Sequence, residues 1–519
     1  MPHSTRVQTL DLNSATPGWE LPIADADVAL YSIVRAACQR AGFAERNVCT
    51  RFALTSIADF RSRREGRPEA RRVQDALEVL TDLFMDLAGV SETHARQVLG
   101  DPAVDAMLHL RLVVEDGGRE PELLATMLMY PVADVLLISD RTFGRPGEQR
   151  GLPDDIVYPA VTRNTTTFLR MLPSSPCDDF LEMCAGNGVA AIAKATQAGH
   201  AWSLDLTARA TRVATFNARL NGLTNVTVLQ GDLFAPVEGR QFDRIVAHPP
   251  YVPSAEQAII YRDGGADGEM ITKRIVSDLP RFLRPGGRFF CTCIATDRTD
   301  APLERRLHEW LADAQQEFDV VVAVTSAEHP SEYYFKSAIN GGTTFAQAER
   351  QHHAFKAMTV ERLVYSSFVI ERHAAPRTSV CVRVSRGPRT TGRELEQYCD
   401  WLARREATDL QQQMLAAYPR LDPGASLQER RQVVDQKWKV TDTALDTAWP
   451  FSASIQCPDD VAQLLARCDG TRTVQQVITS LRQKGFLKSS VRDEIILQIL
   501  MSCVAAGALH LEDASRRST

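Results

Sequence analysis

The sequence has 519 residues, too many for one hydrophobic core, so two to four domains are expected. Hydrophobic residues make up 44% and charged residues 24% of the chain, which is typical of an ordinary globular protein. The formal net charge of -6 gives the molecule no overall attraction for polyanions, so nucleic-acid binding would need a local basic face.

The N-terminal residues Met1–Arg6 are polar and no apolar run follows them, so we expect neither a signal peptide nor a membrane span. The eleven cysteines are scattered and lack CxxC spacing, which is typical of buried free thiols in a reducing cytoplasm. Cys291 and Cys293 share one face of a predicted strand, but no His or second Cys pair stands nearby. We therefore predict a cytoplasmic protein without a metal site.

Residues 1–150 are predicted to form a mainly helical N-terminal domain that ends in a β-ribbon. Apolar residues recur at helical spacing over residues 28–37 and 73–87. From Met127 to Ser139 the pattern changes to one that suits a strand or hairpin. A linker rich in Gly and Pro follows at Gly144–Gly147.

Residues 151–386 alternate apolar runs with helical patterns, which predicts an α/β fold whose parallel sheet is built by right-handed crossovers. The last two predicted strands follow each other so closely that we expect them to form an antiparallel edge pair. Before them lies an insertion, Ala327 to Val360, with a predicted helix over Phe345–Met358. The predicted strands are Asp179–Met183, Ala201–Leu206, Val226–Gln230, Arg244–Ala247, Arg288–Cys293, Asp319–Val324, Leu363–Glu371 and Val380–Val384.

Residues 387–519 are predicted to form a helical C-terminal domain with a winged-helix-like end. Its last part contains a turn and helix cap at Asp469–Thr473 and a short strand over Ala508–Leu511. The predicted helices cover Leu395–Arg404, Asp409–Tyr418, Asp459–Cys468, Val474–Gln483 and Val491–Ala505.

A glycine-containing loop follows the first strand of the central domain. The apolar run Phe180–Met183 leads into Cys184-Ala185-Gly186-Asn187-Gly188, and a helix starts near Val189. The glycines let the backbone turn sharply and approach a ligand closely. Dinucleotide enzymes and purely structural turns also use such loops, so this motif alone does not decide the ligand.

Acidic residues stand at the ends of the next two strands. Asp205 can accept both hydroxyls of a ribose, because ligands in such sheets bind at the carboxyl ends of the strands. Asp232 can accept a hydrogen bond from an adenine amino group while Leu233 or Phe234 packs on the ring. A single aspartate of this kind could be a solvated loop residue or a helix cap. Three successive strand ends carrying a glycine loop, Asp and Asp indicate a nucleoside site.

The fourth strand ends in His248-Pro249-Pro250-Tyr251, which favours a methyl donor over a dinucleotide. Consecutive prolines fix the backbone and remove two N–H donors, which leaves carbonyl groups free to point into a cleft. Tyr251 supplies a flat face for stacking. A planar nitrogen acceptor could be held there with its lone pair aimed at a sulfonium methyl group.

At this point the sequence resembles a known family, the class I methyltransferases of the HemK/PrmC type, which modify the side-chain amide of glutamine in proteins. The resemblance runs from about Arg163 to Gly287 and keeps the family's motifs in order. The motifs are Glu182–Gly188, the Asp205 segment, Asn217–Leu223, Gly231–Phe234, His248–Tyr251, Asp263–Gly268 and Leu283–Gly287.

The resemblance implies an α/β, Rossmann-like seven-stranded class I methyltransferase sheet with S-adenosylmethionine as cofactor. It implies that Asp205 holds the ribose and Asp232 the adenine end. The predicted cofactor-binding residues are Glu182, Cys184, Gly186, Gly188, Asp205, Leu206, Asp232, Leu233 and His248. The predicted catalytic residues are His248, Pro249, Tyr251 and Glu332.

Two positions depart from the family pattern. Cys184 stands where the family usually has a third glycine, which is acceptable if its backbone conformation is ordinary. His248 stands where the family has Asn, whose amide matches a carboxamide. A neutral imidazole offers one donor and one acceptor in a different geometry. The acceptor nitrogen therefore stays open between an amide, a guanidino group and an amino group.

Methyl transfer is an in-line displacement, so alignment and a dry site are the main requirements. His248 could accept the proton that the nitrogen loses, or only orient the acceptor. A cationic acceptor could be bound by nearby carboxylates, which could equally form a solvated loop face. These carboxylates are Asp263, Asp267, Glu269 and Glu332.

We predict an N-methyltransferase that acts on an amino-acid-like metabolite or on a protein or peptide. The alternatives are a nucleic-acid base methyltransferase, made less expected by the acidic charge and by the lack of a basic, aromatic-studded stripe, and a non-catalytic donor-binding scaffold. The segment from Cys468 onward resembles small winged-helix modules of some bacterial methyltransferases and peptide-modifying systems. Such a module could present a peptide substrate or form a homodimer.

Overall fold

The structure is a computed structural model that describes residues 20–60, 75–145, 148, 151–254, 261–340, 343–405, 407–487 and 491–512. It divides into two compact units. The first unit consists of residues 1–170 and 176–293, and the second of residues 171–175 and 294–519. None of the helices in the described part of the chain has the length and apolarity that crossing a membrane requires.

The first unit begins with helices and short strands and continues as an α/β region. Buried residues of the opening helices form one hydrophobic core with those of α7 and α8. The elements are α1 (Val28–Arg40), α2 (Glu45–Arg51), α3 (Ala76–Phe84), β1 (Val90–Ser91), α4 (Glu92–Leu99), α5 (Asp101–His109), β2 (Val113–Glu115), β3 (Glu122–Ala125), β4 (Leu128–Val132), β5 (Val135–Ser139), α6 (Arg163–Arg170), β6 (Cys177–Met183), α7 (Val189–Lys194), β7 (Ala198–Asp205), α8 (Ala208–Leu220), β8 (Val226–Gln230), β9 (Phe242–Ala247), α9 (Met270–Phe282) and β10 (Leu283–Arg298), whose last residues enter the second unit.

The α/β region of the first unit carries five parallel strands in the order β10-β9-β6-β7-β8. Strands β7 and β8 follow β6 on one side, and β9 and β10 are added on its other side, so the strand order reverses next to β6. Ligands of open α/β sheets bind at such a switch point. We expected a helix in every crossover, but the chain from β8 to β9 forms only a short 3-10 turn at Ala235–Val237. The fold class predicted from the sequence is confirmed.

The predicted ribbon is the hairpin β4–β5, and two asparagines of α8 dock it. The Asn217 side chain accepts from Ile138 N at 2.7 Å and donates to Ile138 O at 3.1 Å, so it acts as a neighbouring strand would. Asn221 does the same with Leu136, at 3.0 and 2.7 Å. Asn217 also donates to Asn187 O at 3.0 Å, which connects the ribbon to the glycine loop.

The second unit begins with the last residues of β10, and its further strands have the order β12, β11, β13, β17, β16, β15. Its elements are α10 (Leu303–Glu309), β11 (Phe318–Glu328), α11 (Pro330–Ile339), α12 (Phe345–Ala357), β12 (Val360–Arg372), β13 (Cys381–Arg386), α13 (Gly392–Arg404), α14 (Leu410–Ala416), β14 (Tyr418–Leu421), β15 (Ser426–Val434), β16 (Lys437–Thr447), β17 (Phe451–Gln456), α15 (Asp459–Leu465), α16 (Val474–Gln483), α17 (Asp493–Ala505) and β18 (Leu509–Glu512).

The expected antiparallel edge pair of the last two predicted strands was wrong. Strand β11 lies between β12 and β13, pairing antiparallel with the first and parallel with the second. The buried carboxylate of Asp319 on β11 explains this in part, because it accepts from Val380 N at 2.8 Å and so draws the start of β13 to β11. Nearness in sequence did not decide strand pairing here.

The region after residue 387 contains strands that the sequence analysis did not predict. The hairpin β15–β16 and strand β17 interrupt the helices, whereas the helices themselves fall where they were expected. All nine residues of β15 are exposed, so the strand lacks the alternation of apolar and polar residues by which strands are recognised. The three-part division at residues 150 and 386 stays a prediction.

We predict that Asn217→Ala lowers the free energy of unfolding of the first unit by about 3 kcal/mol, because it leaves buried backbone groups of Ile138 without partners. Asn47→Ala, which removes one exposed side-chain hydrogen bond to Gly42 O, is the matched control and should cost less than about 1 kcal/mol. Urea unfolding of both variants measures the difference, and equal losses would contradict the docking role of Asn217.

Candidate active site

The glycine loop at the end of β6 is built on three left-handed residues. Cys184, Gly186 and Gly188 have φ values of 53°, 55° and 77°. The condition set for Cys184, an ordinary backbone conformation, is therefore not met, and this conformation costs a non-glycine residue roughly 1 kcal/mol. A side chain at Gly186 would meet nothing within 4 Å, whereas one at Gly188 would lie 3.0 Å from Ala214 Cβ.

Two carboxylates hold this loop in place. Asp205 Oδ2 accepts from Gly186 N at 2.8 Å, and Oδ1 accepts from Thr207 N at 3.0 Å. Glu182 is buried, and its two oxygens accept from Ala190 N and Ala191 N at 3.0 and 2.8 Å. Burial raises the pKa of Glu182 to about 8 against the effect of these two amides. Glu182 thus braces the start of α7, and its role at the donor stays a prediction.

At the next strand tip, Asp232 is half exposed and forms an ion pair with Arg274 of α9, at 2.7 Å. Leu233 has a left-handed φ of 48° and is partly buried. The ring of Phe234 stacks on Phe282 at 4.2 Å within the core, so Leu233 is the residue left to pack on a ligand. Arg274 was missed by the sequence analysis because nothing in its own segment indicates the contact.

These strand tips fit the predicted donor. The open space beside Gly186 lets a ligand approach the backbone. Asp205 Oδ1 also accepts from Thr207 Oγ1 at 3.3 Å, so it is Oδ2 that keeps a lone pair for a ribose hydroxyl, and Leu206 is 52% exposed next to Asp205. S-adenosylmethionine would be held here by Asp205 at the ribose and by Asp232 at the adenine.

The Pro-Pro-Tyr turn brings His248 beside two aromatic rings. Its imidazole stacks on Phe168 of α6 at 5.2 Å and lies 5.5 Å from the ring of Tyr251. The Tyr251 hydroxyl accepts a hydrogen bond from Asn164 Nδ2 at 2.7 Å. Asn164 and Phe168 were missed, because α6 lies about 80 residues upstream and only the tertiary fold brings it here.

The His248 imidazole is neutral, and one of its two ring nitrogens makes no hydrogen bond in the described part of the chain. Nε2 is buried and has no hydrogen-bond partner within the described ranges. Burial lowers the pKa of His248 to about 4. A buried polar atom without a protein partner can be satisfied by a water molecule or by a ligand.

The loop after the turn holds the turn's backbone. Gly264 N donates to Val252 O at 2.9 Å, and Ser254 N donates to Gly265 O at 2.8 Å. Asp263 is buried against the Arg262 guanidinium at 2.8 Å, and Asp267 accepts from the amide of the buried Glu269 at 3.0 Å. Their expected role in binding a cationic acceptor stays a prediction.

Glu332, the remaining predicted catalytic residue, belongs to the second unit. It lies in the first turn of α11, and its carboxylate is 61% exposed and 3.9 Å from Lys336 Nζ. Its catalytic role stays a prediction. No cluster of three or more metal-binding side chains occurs among the residues that the structure describes.

A cavity of about 490 Å³ lies in the first unit, lined by Tyr130, Tyr158, Arg163 and eleven other residues. The Tyr130 hydroxyl accepts from Asn187 Nδ2 of the glycine loop at 2.9 Å. Tyr158 stacks on Tyr261 at 5.4 Å. Two residues of the cavity wall thus contact the glycine loop and the segment that follows the Pro-Pro-Tyr turn.

Comparison with known proteins agrees with this geometry. Residues 159–321 match the family model of the methyltransferase small domain. The match includes both the glycine loop and the Pro-Pro-Tyr turn, so the resemblance found in the sequence is confirmed, and S-adenosylmethionine is the cofactor of such a domain.

Relatives of the methyltransferase small domain include a release factor glutamine methyltransferase of Gloeobacter violaceus, 34% identical over 132 residues, and that of Moorella thermoacetica, 34% identical over 127. A ribosomal protein uL3 glutamine methyltransferase of Bradyrhizobium diazoefficiens is 35% identical over 125 residues. The matches cover 21–22% of this chain and 46%, 45% and 39% of these relatives. The chain thus spans less than half of their length.

Solved structures were compared as well. A ribosomal protein L11 methylase from Lactobacillus delbrueckii subsp. bulgaricus is 16% identical, with 40% of this chain and 75% of that chain covered. Its TM-score is 0.23, too low to support an inference. The fold assignment therefore depends on the strand order and on the family match.

We predict that Gly188→Ala lowers the stability of the protein, whereas Gly186→Ala lowers its affinity for the donor. Both add left-handed strain, but only the side chain at Gly188 collides with Ala214, so Gly188→Ala should unfold more easily by about 1 kcal/mol or more. Gly186→Ala should remain folded but bind S-adenosylmethionine at least about tenfold more weakly, because its methyl group fills the open space beside the loop. Urea unfolding and calorimetric titration check this, and unchanged donor affinity in Gly186→Ala would contradict the site.

We also predict a pH dependence of stability from His248. Its folded-state pKa of about 4 lies below the ordinary 6.5, so the unfolded chain binds the proton first. The stability contributed by the neutral ring is complete above pH 6.5 and is lost as the pH falls toward 4. Between about pH 7 and 5, the protein should lose about 2 kcal/mol more than His248→Gln does. Urea unfolding of both proteins measures this, and equal losses would disprove it.

Proposed function

We propose that this chain is an S-adenosylmethionine-dependent N-methyltransferase whose acceptor is a side-chain amide of a protein. The observation that carries the proposal is the neutral imidazole of His248, whose buried Nε2 is without a partner among the described residues. The glycine loop, Asp205 and the Pro-Pro-Tyr turn support the same reading, since a donor and an acceptor nitrogen could meet between them.

The surroundings of His248 favour a neutral acceptor over a cationic one. Burial is the only cause that lowers its pKa, and no charged side chain contributes. A guanidinium or ammonium group placed beside Nε2 would need a carboxylate partner, because an unpaired buried charge is costly. The Asp263 carboxylate already pairs with Arg262. An amide nitrogen carries no charge and needs only a hydrogen-bond acceptor for its N–H.

Methyl transfer mainly requires that the protein align the acceptor nitrogen with the methyl group of the donor. S-adenosylmethionine supplies, when bound, a methyl group on a sulfonium sulfur. The amide nitrogen would form the new C–N bond with its lone pair as the bond between the methyl carbon and sulfur breaks and its electron pair stays on sulfur, and the nitrogen would lose a proton. His248 Nε2 can accept a hydrogen bond from this nitrogen and so orient it, and even a weakly basic imidazole can take the proton, because the nitrogen becomes acidic as the bond forms. Phe168 and Tyr251 lie against the ring, with centroids at 5.2 and 5.5 Å.

A protein acceptor is favoured over a free amino-acid-like metabolite. The relatives are named as methyltransferases of glutamine in release factors and in ribosomal protein uL3. The cavity of about 490 Å³ could take apolar side chains that flank the modified residue. Eleven free cysteines support a reducing cytoplasm as the place of the reaction.

The test uses three peptides that differ only in a central Gln, Arg or Lys, together with the release factor and ribosomal protein uL3 of the source organism. With tritiated S-adenosylmethionine, we expect methyl transfer to Gln and not to Arg or Lys. We predict that His248→Ala lowers kcat/KM by about 100-fold, the usual size of a proton-handling contribution. His248→Asn should restore much of it, because an amide side chain also offers an uncharged acceptor.

The control is the dissociation constant for S-adenosylmethionine. Measured by calorimetry, it should stay within about threefold of that of the parent protein in both His248→Ala and His248→Asn. Transfer to Arg or Lys would overturn the amide assignment. Transfer to an adenine-containing oligonucleotide would favour the base-methyltransferase alternative. Full turnover in His248→Ala would remove His248 from the mechanism.

A further inference from the structure

Strand β15 is an exposed edge. It stands at the end of the sheet order, and its outer side pairs with no other strand in the described part of the chain. All nine of its residues are exposed, including Val433 at 60%, and its neighbour Trp438 on β16 is 69% exposed. The hairpin therefore presents backbone donors and acceptors together with apolar side chains to solvent.

Such an edge is normally protected. Natural edge strands are short, bulged or covered, because an open edge pairs with other chains. The irregularity of this hairpin falls between Arg430 and Arg431, where Arg431 pairs with Val440 and Arg430 with Asp442. The extra residue is therefore Thr441 on β16, and β15 itself runs regularly over nine residues. A regular edge of this length can accept another strand along its whole length.

The sequence of β15 complements itself when two copies run antiparallel. A two-fold axis perpendicular to such a pair passes midway between the two copies of one residue, which then face each other. With the axis at Arg430, Glu429 faces Arg431 of the second copy, and Leu427 faces Val433. The symmetry repeats each pair, and Gln428 faces Gln432 in the same way.

The side chains are already arranged for these contacts. Glu429 and Arg431 lie on one face of the strand, with Arg431 Nη2 2.7 Å from Glu429 Oε2. The one unfavourable pair, Arg430 opposite Arg430, is offset because Asp442 lies directly across from Arg430 on β16. Across the four strands of the two hairpins, the charged residues would follow the order Asp442, Arg430, Arg430, Asp442, so each Arg430 would have an aspartate on its other side. Axes at Glu429 or Arg431 lose the opposite-charge pairs and place Leu427 or Val433 opposite a charged residue.

We propose that β15 is the interface of a homodimer in which two copies of this chain join their sheets through antiparallel pairing of this strand. The interface is isologous and holds two Glu429–Arg431 ion pairs and two Leu427–Val433 contacts. The backbone hydrogen bonds supply the pairing, and the side chains select a second copy of the same strand over other extended segments.

The test measures the mass of the full chain by sedimentation over about 1 to 100 µM, a range suited to a small interface. We expect the mass to double with concentration. Glu429→Arg alone and Arg431→Glu alone place like charges opposite each other at both ends, and each should weaken dimerisation by about tenfold or more. The double variant E429R/R431E reverses both partners and should restore it. A mixture of the two single variants should also associate, because each supplies the charges that the other lacks.

Lys437→Glu is the matched control, since it reverses an exposed charge on β16, outside the proposed pairing, and should leave the dissociation constant within about threefold. All of these side chains are exposed, so the variants should keep the melting temperature of the parent protein. A parent protein that stays monomeric throughout the range would overturn the proposal. Equal weakening in the single and double variants would also overturn it, because charge pairing would then not set the register.

Discussion

The active-site region depends on the hydrogen bond from Gly186 N to the Asp205 carboxylate. This bond joins the tips of two adjacent parallel strands, and it holds a loop whose left-handed residues would otherwise have other conformations available. The same loop is tied from behind, since Asn217 donates to Asn187 O and Asn187 donates to Tyr130. The N-terminal ribbon is therefore part of the support of the donor site.

The proposed acceptor site depends on a side chain without net charge, the neutral imidazole of His248. His248 replaces the family's asparagine but is kept neutral by burial between Phe168 and Tyr251. A neutral imidazole shares with an amide the ability to offer one donor and one acceptor without a net charge. The departure from the family pattern thus keeps the electrostatic character of the position while changing its shape.

The residues proposed to bind the donor lie at the ends of strands, whereas those proposed to bind the acceptor lie on a loop. The proposed donor-binding residues lie at the ends of β6, β7 and β8, where strand geometry fixes their order and spacing. The acceptor residues lie on a loop held by hydrogen bonds from residues 262–268, which leaves room for variation in what is bound. Relatives with different named protein substrates are consistent with such a division.

The sequence by itself determined the parallel sheet, the glycine loop, Asp205, Asp232 and the Pro-Pro-Tyr turn, because strand periodicity and turn chemistry are local properties. Only the tertiary structure decided the partners of these residues. Asn164, Phe168 and Arg274 reach the site from distant helices, and β11 separates two strands that are neighbours in sequence. Pairing and stacking join residues that lie far apart in the chain, and local patterns such as periodicity and turn chemistry do not show which of them the fold brings within a few ångströms.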